Sequence, residues 1–218
     1  MPASPPVTDS LPRGSFEPSI VRRAFARGAV LVVAQNLTDS AAPPPPEGVV
    51  IEPFTGLDWS PLAPLASEVR RREFQRRAQM RRACLVAWDR GRPVGCTWVS
   101  PVAEARTEGV ALELPFGACF GWGLYVEPDA RGRGIGSALA GARLLWAEAD
   151  GYTAMWRLVA PHDAASLRML ERTAGDGATI VGELRYVRLL HWFRGSLSAV
   201  PPGVGLLTSV PARPGAAA

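Results

Sequence analysis

Between residues 131 and 136 the chain reads Arg131-Gly132-Arg133-Gly134-Ile135-Gly136, with Ser137 next, so that glycine occupies every second position among two arginines. Residues without side chains let backbone N–H groups crowd an anion, and guanidinium groups add positive charge, so phosphate binding is the chemistry this spacing suits. A tight connection whose glycines only satisfy a turn is the competing reading of a bare Gly-x-Gly. The flanking pattern decides against it. Upstream, Trp122, Leu124 and Val126 alternate with Gly121, Gly123 and Tyr125, which predicts a strand stopped by Pro128 and Asp129. Downstream, Ile135, Ala138, Leu139, Ala142, Leu145, Trp146 and Ala149 fall on one face of a helix. A helix start offers unpaired amides and a positive dipole end to the same anion.

Other residues that could do chemistry are scattered. Glu113 precedes the central strand and is the candidate general base, with an exposed strand carboxylate as the plain alternative. Glu127, beside Pro128, is a weaker candidate. Asp163 and Ser166 stand three apart before an apolar helical period, the spacing of a helix cap. His162 and His191 have no carboxylate or second histidine near them in sequence and read as structural. Cys84, Cys96 and Cys119 are an odd number in apolar surroundings, which predicts free, buried thiols in a reducing compartment; no metal-ligand spacing occurs.

The strand ending Leu124-Tyr125-Val126, the proline, and Arg131-x-x-Gly134-x-Gly136 opening a long helix together resemble the signature of the GNAT acyltransferase superfamily. The likeness extends over roughly residues 47–193, with a strand from Met155 to Ala160 leading into Asp163-Ala164-Ala165-Ser166 and a further helix. It implies acetyl-CoA or another acyl-CoA as co-substrate. The pyrophosphate would lie on the amides of Arg131, Gly132, Arg133, Gly134, Ile135, Gly136 and Ser137, and the pantetheine arm along Leu124, Tyr125 and Val126, with Asp163 and Ser166 near the cofactor. The Val126 N–H would polarise the thioester carbonyl, an effect of ~3 kcal/mol for such a donor. An acceptor amine with pKa near ~10 needs a base, hence Glu113. The family's usual leaving-group acid, a Tyr, falls here on Leu170, leaving Tyr125, Tyr152, Tyr186 or solvent, and Asp163 stands where the family has Asn. The implied fold is α+β, a mixed, mostly antiparallel central sheet with helices on both faces and a slot between two splayed strands.

A length of 218 residues fits one domain with a substantial core. All 24 basic residues are arginine, and with the abundant Ala, Gly and Pro this is the composition expected of a bacterial, GC-rich coding sequence. A net charge of +4 suits an anionic cofactor and does not call for nucleic acid. No apolar stretch approaches the ~20 residues of a membrane span and the first residues lack a signal-peptide pattern, so a cytoplasmic protein is expected.

The boundaries read as a loose N-terminus (1–15), a helix-and-strand preface (16–40, with a helix over Ser19–Arg27 and a strand over Ala29–Ala34), a stiff Pro-rich spacer (41–47), the acyltransferase-like domain (48–194) and a Pro/Gly/Ala-rich tail (195–218). Within the domain, Asp89-Arg90-Gly91-Arg92-Pro93 marks a hairpin, and Leu62–Arg82 a helical region studded with Arg70, Arg71, Arg72, Arg76, Arg77, Arg81 and Arg82, either a solvated face or a docking face for acidic groups. Thr179–Val181 and Arg185–Phe193 read as closing strands. The acceptor, a small-molecule or peptide amine, is open, as is a homodimer. Two other functions stay open: an acyl-CoA-binding sensory or interaction domain without turnover, and a Rossmann oxidoreductase, whose third glycine is missing here.

Overall fold

Phe25–Asn36 (β1), rich in β-branched residues, is a twelve-residue strand in the interior of the main sheet, and it sets the topology. The computed structural model describes residues 25–38, 42–56, 58–65, 74–77, 79–80, 82–103, 111–174, 178–189, 192–198 and 205–207. One half of the sheet is a meander: Val49–Pro53 (β2), Ala83–Asp89 (β3), Arg92–Ser100 (β4) and Ala118–Val126 (β6) pair successively and antiparallel. The β3–β4 turn carries Arg90 and Gly91 at φ 51° and 80°, the left-handed pair that a two-residue hairpin needs. The other half runs from Ala154–Val159 (β7) through β1 to Ala178–Leu189 (β8) and Trp192–Ser198 (β9), again antiparallel. The halves meet where β6 and β7 run parallel. Ala111–Glu113 (β5) pairs separately with Gly205–Leu207 (β10).

Helices Ile135–Ala149 (α1) and Ala164–Ala174 (α2) cover one face: Leu144 and Ala147 of α1 pack with Cys119 and Met155, and Leu170 of α2 packs with Val33 and Val159. On the opposite face a 3-10 helix, Ser60–Leu65, and a helical turn at 74–77 place Leu62, Leu65 and Phe74 against Cys84, Val86, Cys96 and Trp98. The mixed, mostly antiparallel sheet with helices on both faces is the expected class.

Four expectations change. The helix over Ser19–Arg27 does not include Phe25–Arg27, which are already strand; residues 19–24 lie outside the described residues. The segment read as a preface instead supplies β1, which pairs with both β7 and β8 and is central to the sheet. The Pro-rich spacer is no bare linker: it crosses α1, and Ala42 and Pro43 sit so close to Gly141 that a Cβ there would lie 2.7 Å from the Ala42 Cα. That crossing is required because the chain must travel from mid-sheet to its far edge. Residues 195–207 are not all tail, since β9 runs to Ser198 and β10 follows, and β8 is continuous through Gly182.

The buried face of α1 is also rotated from the predicted one. Leu144 and Ala147 are fully buried, whereas Leu145 is 46% exposed. Small residues confuse the period here, because Ala140 and Gly141 are buried too, on the side the Pro-rich segment crosses.

Candidate functional site

Only three pairs tie β6 to β7: Ala118 with Ala154, Cys119 with Met155, and Phe120 with Trp156. Beyond Phe120 the strands part, β6 staying with β4 and β7 with β1, and a cleft opens between Gly121–Val126 and Arg157–Val159. Gly123 holds φ at 61° and one extra residue enters β6 between its pairings with Cys96 and Trp98, a β-bulge. The bulge reverses the alternation. Trp122 packs toward the aromatic cluster around Trp98, whereas Leu124 and Val126 turn to Ile135 and Leu139 of α1. The single alternation predicted for Trp122, Leu124 and Val126 is therefore broken at Gly123.

Glu127 N–H donates to the Val94 carbonyl at 2.8 Å, so by strand alternation the preceding N–H, that of Val126, points away from β4 to the side from which β7 has departed. The Val126 carbonyl shares that side and accepts from Arg131 Nε at 3.0 Å. After the 3-10 turn Pro128–Ala130, Gly132 and Gly134 take φ of 78° and 88°, and a side chain at either would meet nothing within 4 Å. Helix α1 then begins with Gly134 as its cap residue and no side-chain cap bond, its first bond running from Ala138 N–H to the Gly134 carbonyl at 3.0 Å. The amides of residues 134–137 thus precede the helical ladder, beside open space. Gly136 and Ser137 are half-buried; Ile135 is buried and anchors the turn on Val94, Ala130 and Leu139.

The arginines of the loop are engaged by the protein. Arg131 folds back on Val126, and Arg133 leaves the loop for an ion pair with Asp89 at the β3–β4 turn, 2.5 Å long. The Arg133 hydrogen bond holds the Asp89 carboxyl below its ordinary range. Arg133, expected to add its charge at the loop, is paired here with Asp89 across the β3–β4 turn.

Asp163 caps α2: its two carboxylate oxygens accept from Ser166 N–H at 3.0 Å and Ser166 Oγ at 2.6 Å. Burial pushes its carboxyl up, but these hydrogen bonds and that from Ala165 outweigh it and the net shift is downward. Glu113 lies exposed on the β5–β10 ribbon, one residue past Leu112, which is buried beside Phe120 and Trp156. Of the tyrosines, Tyr125 lies on the cleft strand. Tyr152 sits beyond the far end of α1, where burial first and Asp150 second raise its pKa; Tyr186 packs on β1 and lines an open groove of about 880 Å³ with Arg27 and Arg185. Leu170 is buried in the core. His162 is exposed, and His191, Arg70, Arg71, Arg72 and Arg81 lie outside the described residues. The three cysteines are buried and free, with burial pushing the Cys119 thiol up to about 12. Among the described residues no cluster of His, Cys, Asp and Glu could hold a metal, and no helix is long and apolar enough to cross a membrane.

Across β6 from α1 lies a pocket of about 260 Å³ lined by Phe74, Arg77, Trp98, Gly123 and Tyr125. The Arg77 guanidinium stands 4.0 Å from the Trp122 ring centre and 5.1 Å from that of Trp98, with Trp59 stacked behind Trp98 at 5.7 Å. Sequence reading names Arg77 only as one of seven arginines and misses the tryptophans. The one available signal is three tryptophans in segments that the meander brings together.

Residues 51–175 match the model of the Acetyltransferase (GNAT) family. Comparison with curated proteins gives no match. Among solved structures, a GCN5-related N-acetyltransferase from Sphaerobacter thermophilus is similar over 81% of this chain and 54% of its own, at 19% identity and TM-score 0.53. The GCN5-related glucosamine N-acetyltransferase region of a fungal multi-domain GH3 β-N-acetylglucosaminidase is similar over 77% of this chain and 22% of its own, at 13% identity and TM-score 0.55. The chain spans about half the length of the first, and at such identities the likeness is one of fold. With the splayed strands, the bulge and the uncapped helix start inside the matched segment, the chain belongs to the GNAT acetyltransferase family.

Proposed function

We propose that this chain is an acyl-CoA-dependent N-acyltransferase, passing an acetyl or other acyl group directly to an amine while both substrates are bound. The observation that carries this is the parting of β6 and β7 after three pairs, directly beside the uncapped, open start of α1. An acyl-CoA supplies an activated carbonyl and a thiolate leaving group. The residues fit such a molecule: amides of 132–137 offer donors to a pyrophosphate, and the outward backbone of Leu124–Val126 offers an edge for the pantetheine amides.

Val126 N–H is the donor placed to receive negative charge at the carbonyl oxygen, where a fixed dipole costs no reorganisation. The acceptor approaches from the opposite face through the pocket of Phe74, Arg77 and Trp98, which the Gly123 bulge opens onto the cleft strand. In the transfer the nitrogen–carbon bond forms and the carbon–sulfur bond breaks; the amine gives up one proton and the sulfur takes one. Glu113 is proposed as the proton's first acceptor through water, and Tyr125 as the donor to sulfur. Asp163 and Ser166 shape the mouth of the site as the cap of α2.

The test is release of free thiol from acetyl-CoA over a broad amine panel, with Tyr125→Phe as comparison. Thiol release stimulated by at least one amine supports transfer. The buried Leu170, in place of a proton donor, favours the second reading, an acyl-CoA sensor. Saturable acyl-CoA binding with no amine-stimulated release would establish that reading instead.

A further inference from the structure

Trp98 is wholly buried, yet its indole N–H meets no acceptor. Buried donors are almost always paired, so one left over beside a cavity calls for an acceptor from outside the chain. Trp98 forms part of the wall of the pocket of about 260 Å³, and the ring edge that carries the N–H is turned to Gly123, another part of that wall. A Cβ on Gly123 would lie 3.1 Å from Trp98 Cδ1 and 3.9 Å from Nε1. The bare Cα at the bulge therefore keeps this edge uncovered by a side chain.

Arg77 sets the sign of the ligand group that belongs there. Its guanidinium, in the same wall, lies over Trp122, Trp98 and Phe74 at 4.0, 5.1 and 5.8 Å from the ring centres. Such ring faces attract a cation, but the chain's own cation already occupies them, and a second would meet its charge at close range. The guanidinium has a further interaction within the chain, and its five N–H groups can serve more than one partner. A planar fork of donors beside an unused indole N–H suits a carboxylate in geometry as well as charge. Leu65, Phe74 and Leu124 make the rest of the wall apolar.

This pocket is within reach of the thioester. Its wall takes in Gly123, Leu124 and Tyr125, and Tyr125 is next to Val126, whose N–H faces the acyl carbonyl under the reading above. Gly123, where the Trp98 edge sits, is three residues from Val126, at most about 10 Å along the strand. Allowing about 3 Å for a hydrogen bond at the carboxylate leaves roughly 7 Å between that group and the attacking nitrogen. Six bonds of extended frame cover this distance, as two residues of extended chain do. A volume of about 260 Å³ takes a small molecule of that length and little more.

We propose that the acceptor is a small amine whose apolar frame ends in a carboxylate about six bonds from the nitrogen, with Arg77 and the Trp98 N–H holding that carboxylate. This inference rests on the N-acyltransferase reading above and names the acceptor class of the same site, with Arg77 and Trp98 as its specificity-determining residues.

The experiment measures thiol release from acetyl-CoA by the full chain with 4-(aminomethyl)benzoate and 6-aminohexanoate. Each is set beside its primary amide, a neutral isostere, and beside 1,6-diaminohexane, whose far end is cationic. At least one carboxylate is expected to exceed its amide by about tenfold or more in kcat/KM, the least that a hydrogen bond to a charged group gives. Arg77→Gln is expected to bring that ratio to about one, chiefly by raising KM for the carboxylate, as loss of uniform binding does. Arg77→Lys is expected to restore part of it. Trp98→Phe, which keeps a ring and removes the N–H, is expected to raise KM for the same carboxylate, with the folding of every variant checked by thermal melting. Equal or better use of the amides or the diamine by the unsubstituted chain overturns the proposal whatever the variants do. Release with other amines but with none of these five overturns this inference alone. Release with no amine at all overturns the transferase reading and this inference with it.

Discussion

Gly134 carries φ of 88° with open space where a side chain would project, so backbone conformation alone restricts it. Gly134→Val is expected to cost about 1–2 kcal/mol of stability through left-handed strain. It is also expected to weaken acetyl-CoA binding more than tenfold, because the side chain enters the anion's space; calorimetry beside thermal melting separates the two effects. Cys119 has a thiol pushed up to about 12, chiefly by burial. A folded value above the ordinary 9.0 means that its contribution to stability is complete below pH 9 and is lost between 9 and 12, where the unfolded chain ionises and the folded one does not. Urea melts at pH 8 and pH 10.5 test this: Cys119→Ala is expected to lose less stability over that interval than the unsubstituted chain, and an equal loss would contradict it. Asp163 goes the other way. Its lowered value gives stability that is present above the ordinary 3.8 and fades as pH falls below it, so Asp163→Ala is expected to cost about 1 kcal/mol at neutral pH and less in acid. The loop glycines are legible in sequence because their chemistry is local. Arg133 is not, because its partner Asp89 lies 44 positions away and only the fold brings them together.

Helix α1 is packed on two sides, and its contacts explain why periodicity misplaces its buried face. A Cβ at Gly141 would collide with Ala42 and Pro43, at 2.7–2.9 Å, whereas one at Gly136 would make ordinary contacts with Val126 and Leu124 at 3.8–3.9 Å. Gly141→Leu is therefore expected to destabilise by about 1–3 kcal/mol or more, by overpacking against backbone. Gly136→Ala is expected to be neutral or to stabilise by up to about 1 kcal/mol through helix propensity. Thermal melts of both variants check the contrast; equal effects would show that residues 42–46 do not rest on α1. Strand β6 is legible as an element from its alternation and its proline stop. The bulge at Gly123 is hidden, because a glycine in a strand pattern signals either a weak strand position or a change of phase, and only the register with β4 decides.

At the scale of the molecule, the matched segment 51–175 lacks the strand that completes its own sheet. β1 fills the space between β7 and β8, which leaves β7 an unpaired edge in any chain that starts after it. A chain beginning at residue 48 is expected to lose its cooperative thermal transition, with circular dichroism as the readout; a sharp, undiminished melt would restore the boundary that sequence suggests there. That boundary misleads because the proline run looks like a linker, while the pairing that crosses it is non-local. The family resemblance, by contrast, is legible because the loop, the strand end and the helix start are contiguous. The account depends on the parted strands and the uncapped start of α1 acting together as a seat for coenzyme A. Titration of the full chain with acetyl-CoA, followed by calorimetry, tests this most directly: the predicted result is saturable one-site binding that Gly134→Val removes, and the contradicting result is no binding, or binding that Gly134→Val leaves intact.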